Sequence, residues 1–261
     1  MNNDKLIVET HQSGLASLTL NRPDVGNALD KDLIHQLVNA LKALAPEKVR
    51  LLVIKSSGRH FSTGADLNWM KESKDLSRKE NHQDARPLAE LLYRLDNFPA
   101  PTLSMIQGAA YGGALGLIAA SDIALAANTS RFSFSETKIG LIPAVISPYI
   151  IAAIGARQAR RFFLTAEVFT SQQAWQMGLV HEHCPDNQLE DKAASLCKQI
   201  LANSPQALTA SKKLIADVRH RPIDVELVEQ TCRRIADLRV SNEAQEGLSA
   251  FLEKREPTWR G

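Results

Sequence analysis

The sequence is short of the features that commit a chain to several large function classes. It has three cysteines, Cys184, Cys197 and Cys232, far apart and without CxxC spacing. Neither a disulfide framework nor a cysteine metal site is expected from them, and inert thiols in a reduced, cytoplasmic compartment are. Aromatic residues make up 5% of the chain, too few for the stacking platforms that read single-stranded RNA. Neither sign of charge dominates: 31 Lys and Arg against 29 Asp and Glu leave a formal net charge of +2, and the pI is about 8.4. Nothing in that balance demands nucleic acid or an anionic membrane. The longest apolar stretch, residues 105–127, is interrupted by Gln107, Ser121 and Asp122 and built of side chains too small for a lipid-facing helix. The first ten residues, MNNDKLIVET, have no apolar signal core and are not the Arg-rich, acid-poor type of an import peptide. GxxxxGK[ST], GxGxxG after a strand and GxSxG are all missing, which disfavours nucleotide-dependent chemistry and serine hydrolysis.

What is present is 261 residues with 44% hydrophobic content, enough to bury a sizeable core. Leu6–Thr10 and Leu15–Leu20, separated by Gln12-Ser13-Gly14, predict a hairpin. Asp30 is a candidate N-cap for a helix in which Leu33, Leu37, Leu41 and Leu44 recur at helical spacing. Leu51–Lys55 is a compact strand that opens into HFSTGAD, residues 60–66. The charged segment 71–83 is expected to be mobile or solvent-facing, followed by a helix over Ala85–Leu95. Residues 101–106 predict another strand, Ile123–Ala126 and Arg131–Ser135 two more, and beyond Ser147 the pattern is helical to the end. Strands alternating with helices, then helices alone, indicate an α/β core with an α-helical C-terminal part and no repeat of fixed period.

The most informative stretch is QGAAYGGALGLIAASD, residues 107–122, where Gly108, Gly112, Gly113 and Gly116 are set among small apolar residues after a strand. A helix that starts this way leaves its first N–H groups without intrahelical partners, facing whatever lies in front of it, which suits an oxyanion. HFSTGAD offers a second strand end of the same kind. Small residues also serve close helix packing, and Gly112-x-x-x-Gly116 has that spacing too. The basic clusters (Arg157, Arg160 and Arg161; Arg219 and Arg221; Arg233 and Arg234) read as solvated faces, subunit contacts or partners for phosphate. His181 and His183 alternate along one strand but have no third ligand nearby in sequence, so no metal is expected.

NRPDVGNAL, FSTGADL, GAAYGGALGLIAASDIALA and FSETKIGLIP, in this order and at these intervals, closely resemble the enoyl-CoA hydratase/isomerase (crotonase) family, over essentially the whole chain. Within it, ADLNWM, GLIPAVISPYI and RRFFLTAE are most similar to the methylglutaconyl-CoA hydratase branch. The resemblance implies a crotonase-like spiral of ββα units over residues 1–200 and a helical trimerisation region over residues 201–261 that also closes the coenzyme A pocket. It implies a trimer or dimer of trimers, an acyl-CoA thioester substrate, and no cofactor beyond the coenzyme A that the substrate carries. Carried over by position, Ala65 and Gly113 donate their backbone N–H groups to the thioester oxygen, and Glu136 is the catalytic acid–base with its pKa raised by burial. Ala28, Ser62, Gly64, Asp66, Leu67, Tyr111, Gly112, Gly116 and Pro143 would surround the substrate, with Asp66 capping a helix and shaping the adenine pocket, and Phe251 and Lys254 would meet coenzyme A from the tail.

One departure matters. Family hydratases carry a second glutamate three residues after the helix-start glycine, and here that position is Gly116. A lone carboxylate is the pattern of an isomerase, which moves one proton between two carbons; yet the branch this chain most resembles also shows glycine there. The expectation is therefore hydration of a branched, carboxylated 2-enoyl-CoA by Glu136 alone, with Tyr111, Tyr149 or the substrate lending any second polar group. A Δ3,Δ2-enoyl-CoA isomerase is the alternative. RNA binding, described for one relative, lacks its compositional signals. For a distal carboxylate on the substrate, Arg59, Lys71, Arg86 and Arg94 are candidate partners.

Overall fold

The computed structural model describes residues 4–45 and 48–260, so the first three residues of the N-terminal stretch lie outside it. Strand β1 (Leu6–Thr10) pairs antiparallel with β2 (Leu15–Leu20), Leu6 opposite Leu20, as the hairpin pattern requires. From there the chain repeats one move, a strand followed by helix and return to a parallel neighbour. Helix α1 (Lys31–Leu44) leads to β3 (Leu51–Ser56) beside β2. Helices α2 (Leu67–Ser73) and α3 (Arg78–Asp96) lead to β4 (Thr102–Ile106) beside β3. Helix α4 (Gly113–Ala120) leads to β6 (Ile123–Ala127) beside β4. Helices α5 (Ser147–Thr165) and α6 (Ser171–Gln176) precede β9 (Glu182–Cys184), which closes the order β1-β2-β3-β4-β6-β9. A second, three-stranded sheet is formed by β5 (Ala109–Tyr111), β7 (Arg131–Ser133) and β8 (Phe169–Thr170).

Burial explains the strand types. β4 is buried at all five positions because helices cover both faces of the sheet, the rule for central parallel strands. On one side Leu18, Leu20, Leu52 and Ile54 pack with Leu33, Leu37, Leu92 and Ile118 of α1, α3 and α4. On the other, Leu51, Val53, Leu103 and Met105 pack with Ala193, Cys197 and Ile200 of α7 (Leu189–Leu201). The tail consists of α8 (Pro205–Val218), α9 (Val225–Arg239) and α10 (Asn242–Glu253). Lys212 of α8 docks it on the Asp122 carboxylate at 2.7 Å. The expected boundary at residue 200 thus falls at the end of α7.

Three expectations are corrected. Segment 71–83 is exposed but largely helical, because Ser77 and Glu80 cap α3 reciprocally and start it at Arg78 rather than Ala85; a charged sequence can hold a helix whose end is capped. Beyond Ser147 the chain is not helical throughout, since β8 and β9 intervene. β5 lay within the glycine stretch, where three residues are too few to show a period. The other strands and helices given limits above fall within a few residues of them, and α5 is broken at Gly155, whose φ is +73°.

What positions the site is a knot between the loops that leave the C-terminal ends of β2 and β3. Asn27, with no exposed surface and φ +54°, accepts from Arg22 N at 2.7 Å and donates Nδ2 to Ser57 O at 2.8 Å and His60 O at 2.7 Å. Truncation to Ala orphans three buried groups at about 1–3 kcal/mol each, partly relaxed by water, so Asn27→Ala is expected to lower the unfolding free energy by about 2–5 kcal/mol in urea titrations. A loss below about 0.5 kcal/mol, the range of ordinary surface changes, would show that the knot does not hold the loops.

Candidate active site

Two strand ends meet in the manner the glycine pattern suggests. After β3 the chain runs beside β5: Ser62 N donates to Ala109 O at 3.1 Å and Tyr111 N to Ser62 O at 3.0 Å. Gly64, at φ +101°, is so close that an added Cβ would stand 3.2 Å from Tyr111 O. Leu29 N donates to Gly64 O at 2.7 Å and Asp66 N to Leu29 O at 2.9 Å, so bonds flank Ala65 on both sides while its own N–H is left over. At the other strand end Gly112 N donates to Ser133 O, and the N–H of Gly113, the first residue of α4, has no partner either. Among the described residues neither N–H donates to a protein carbonyl.

The same leucine relates the two. Leu29 is the bridge partner of Ala65, and its Cδ1 lies 3.5 Å from where a Cβ on Gly113 would be, as does Leu88 Cδ2. A methyl at 113 would make ordinary contact, so the protein's own packing does not demand glycine there. Gly112 is the demanding position, at φ +52° and ψ −126°, a conformation open to glycine alone.

Strand β7 runs parallel to β5 and delivers Glu136 into a short 3-10 turn, Ser135–Ile139. Its carboxyl covers Gly112: a Cβ there would be 3.4 Å from Oε1. Glu136 Oε2 is buried and has no hydrogen-bond partner, one of two such side-chain atoms among the described residues. Burial pushes the Glu136 pKa up, only partly opposed by a backbone hydrogen bond. The other orphan, Arg50 Nε, belongs to a side chain whose remaining nitrogens bind the carbonyls of Trp259, Leu201 and Asn203, beside a cavity of about 870 Å³ lined by Ser17, Val53 and Met105, not by Glu136. An acid that shuttles between charged and neutral, next to Gly112 and the free N–H of Gly113, can move a proton beside an oxygen that gains charge.

Gly116 does not line an open wall. It is buried, and a Cβ would stand 2.6 Å from Ile146 Cγ2 and 2.8 Å from Leu92 Cδ1. The volume a second glutamate needs is thus filled by two apolar side chains.

The other expected site residues divide. Ser62, Gly64, Asp66, Tyr111, Gly112 and Ala28 gather around the two strand ends; Ser62 Oγ accepts from Gly64 N, and Asp66 caps α2 through Asn68 N at 2.8 Å. Pro143 is buried in the loop before α5, and Leu67 is 73% exposed at the start of α2. Tyr149 lines a cavity with Tyr93, Asp96 and Ala119 at the far end of α4, about 10 Å along the helix from Gly112, so it does not join Glu136. Phe251 is exposed on α10 and Lys254 just past its end; Glu243 and Trp259 anchor this helix to Ser204 and Ala202, and Trp259 O binds Arg50 where β3 begins, the opposite end of the sheet. Of the cations expected to meet a distal carboxylate of the substrate, Arg94 is paired with Glu90, and Arg86 lies two residues, about 200° of helix turn, from Leu88. His181 accepts from Ala124 N and His183 pairs with Asn128; among the described residues no group of three or more metal-ligating side chains occurs. Sequence reasoning passed over Leu29, Leu88, Leu92, Ile146 and Arg22. The apolar four look like any core residue, while Arg22 stood in NRPDVGNAL and drew no role.

A family model described as enoyl-CoA hydratase/isomerase matches residues 10–261. The chain is 34% identical over 258 residues to the 2,3-dehydroadipyl-CoA hydratase of Escherichia coli K12, with 98% of each covered. It is 32% identical to the human mitochondrial methylglutaconyl-CoA hydratase, over 97% of this chain and 76% of that protein. The crystal structure of an enoyl-CoA hydratase from Shewanella pealeana superimposes with a TM-score of 0.94 at 43% identity, covering 99% of this chain and 97% of the other.

Two outcomes follow from the packing. Because burial raises the Glu136 pKa, the folded state holds the proton more tightly than the unfolded chain, and stability falls as pH rises from the ordinary glutamate range through the raised value. Glu136→Gln is therefore expected to melt higher than the native protein at neutral pH and to lose that advantage under acid conditions where both forms are protonated, read by thermal melts across pH. A constant difference across pH would mean that the carboxyl is not strained. Gly116→Glu is expected to destabilise by at least about 1–3 kcal/mol through overpacking and not to raise turnover; a stable, faster variant would show that Ile146 and Leu92 yield.

Proposed function

The chain belongs to the enoyl-CoA hydratase/isomerase family, and we propose that it adds water across the double bond of a 2-enoyl-CoA thioester with a distal carboxylate, 3-methylglutaconyl-CoA being the first candidate. The observation that carries this reading is Glu136 Oε2, buried and unpartnered, on a carboxyl that covers Gly112 next to the free N–H of Gly113. The thioester oxygen accepts from Ala65 N–H and Gly113 N–H. Glu136, as carboxylate, takes a proton from water while the water oxygen bonds to the β-carbon, and the electron pair of the double bond passes to the thioester oxygen as an enolate. The enolate then collapses and Glu136 returns the proton to the α-carbon, so one water is consumed and the carboxylate is restored. The two donors and the dipole of α4 stabilise the enolate more than the neutral carbonyl, which is what lowers the barrier; one such donor is worth about 10²–10³ in rate elsewhere.

Ala28, Ser62, Gly64, Tyr111 and Pro143 would frame the thioester, and Leu88, partly exposed beside Gly113, would offer apolar surface to a carbon chain or branch. Asp66 and Leu67 would flank the adenine. Both named relatives are hydratases of thioesters of dicarboxylic acids, of different chain lengths, which supports a distal carboxylate more than a particular chain. Phe251 and Lys254 would reach coenzyme A only in a neighbouring protomer, in a trimer or dimer of trimers. The exposed apolar side chains of the tail, Ile215, Val225, Val228, Val240 and Leu252 among them, support such self-association. Coenzyme A arrives as part of the substrate, and no further cofactor is required.

The filled volume at Gly116 favours a second reading, a Δ3,Δ2-enoyl-CoA isomerase in which Glu136 moves one proton between two carbons. Turnover of 3-methylglutaconyl-CoA and, separately, of a straight-chain 3-enoyl-CoA in ¹⁸O-labelled water separates the two. Hydration places label in the hydroxyacyl product of the first, and Glu136→Gln is expected to slow it by about 10²–10⁴. Bond migration without label in the second, with no reaction of the first, would make the enzyme an isomerase.

A further inference from the structure

We infer that Arg22 is a positioning residue for the Ala65 N–H, an inference that rests on the reading of Ala65 and Gly113 as donors to the thioester. The free N–H of Ala65 is aimed by its flanking bonds, Leu29 N to Gly64 O before it and Asp66 N to Leu29 O after it. One guanidinium holds both sides of that ladder. Arg22 Nη1 donates to Ala28 O at 2.6 Å, fixing the residue before Leu29, and Nη2 donates to Asp66 Oδ2 at 2.9 Å, fixing the residue after Ala65. Nη1 also stands 3.1 Å from Asp30 Oδ2, at the cap of α1.

The bracket is itself braced. Arg22 N is held by Asn27 Oδ1 and Arg22 O by Asn27 N, so the guanidinium springs from the knot between the two loops. The Arg22 and Asp66 side chains are 16% and 10% exposed, which shields the pair from solvent and salt. Burial would raise the Asp66 pKa, but the Asn68 N–H and Arg22 more than offset it and hold the carboxyl below its ordinary value, so the pair stays charged at neutral pH. Capping α2 needs only the bond from Asn68 N to Asp66 Oδ1, so the cap does not account for Arg22. Three acceptors spread over two loops suit a planar fork, and an ammonium on a flexible stem cannot serve them together.

Arg22→Lys, with Asp66→Asn as a second variant that keeps the capping acceptor, tests the assignment. The probe is para-(dimethylamino)cinnamoyl-CoA, a conjugated thioester whose absorption moves to longer wavelength when its carbonyl is polarised. In folded Arg22→Lys the red shift expected of the native protein should shrink, and kcat for hydration of a 2-enoyl-CoA should fall about tenfold to a hundredfold with KM changed less than about threefold, since an ångström of misplacement acts on the transition state. Asp66→Asn is expected to show a smaller loss of the same kind, and decides the matter if Arg22→Lys does not fold. A native-sized shift and kcat in the variants, or a raised KM with kcat unchanged, would overturn the assignment while leaving the donors in place. A native protein that binds the probe without any shift would instead overturn the reading of Ala65 and Gly113 as donors, and the role of Arg22 would fall with it.

Discussion

A backbone N–H in a protein interior is nearly always paired, and keeping one free takes more structure than pairing it. Around Ala65 and Gly113 the chain does this by pairing everything adjacent. Gly64 O, Leu29 N, Leu29 O and Asp66 N close a ladder around Ala65, and Gly112 N is taken by Ser133 O before α4 begins. The two sheets together, in this sense, bring the ends of β3, β5 and β7 to one place, and the glycines permit the approach. Gly112 needs its φ of +52°, and Gly64 has no room for a side chain to soften its approach to Tyr111.

Glu136 is the electrostatic counterpart of that arrangement. A buried carboxyl with an unpaired oxygen is a cost to the fold, one that a glutamine or an apolar residue would avoid. Its backbone is nevertheless firmly set: Leu141 N closes on Glu136 O, Gly140 supplies a left-handed turn, and Thr137 Oγ1 reaches Phe163 O on α5. The surroundings hold the residue in place while leaving its head group unsatisfied, the pattern of a site in which stability is given up for chemistry.

Much of this was legible in the sequence, and for physical reasons. Leu33, Leu37, Leu41 and Leu44 have the period of a helix lying on a sheet, and Asp30 caps it; local rules sufficed there. The glycine stretch announced free N–H groups because a strand end running into a helix start has them whatever the tertiary fold. What was hidden depended on distant partners. Ile146 and Leu92 read as ordinary core, and only their meeting at Gly116 gives them meaning. Arg22 and Asp66 are forty-four positions apart, and no spacing rule relates them. The start of α3 was hidden for the opposite reason: segment 71–83 is solvent-facing as its charge implies, but that charge masked the local capping signal of Ser77 with Glu80.

The closed volume at Gly116 bears on how hydration and isomerisation can share one scaffold. Both need the same enolate and hence the same two N–H groups; they differ in whether water or a second carbon exchanges the proton. With a second carboxylate, the added water is held from two sides. Without one, its position must be set by Glu136 and by the shape of the substrate itself. A branch at the β-carbon would narrow the space over the double bond and confine the water to the side where Glu136 stands. A straight chain would leave that space open, with less to keep a lone water in line. On this argument a one-glutamate hydratase depends on a substrate bulky enough to do part of the positioning, and the apolar filling of the second carboxylate's volume would limit which thioesters such an enzyme could hydrate.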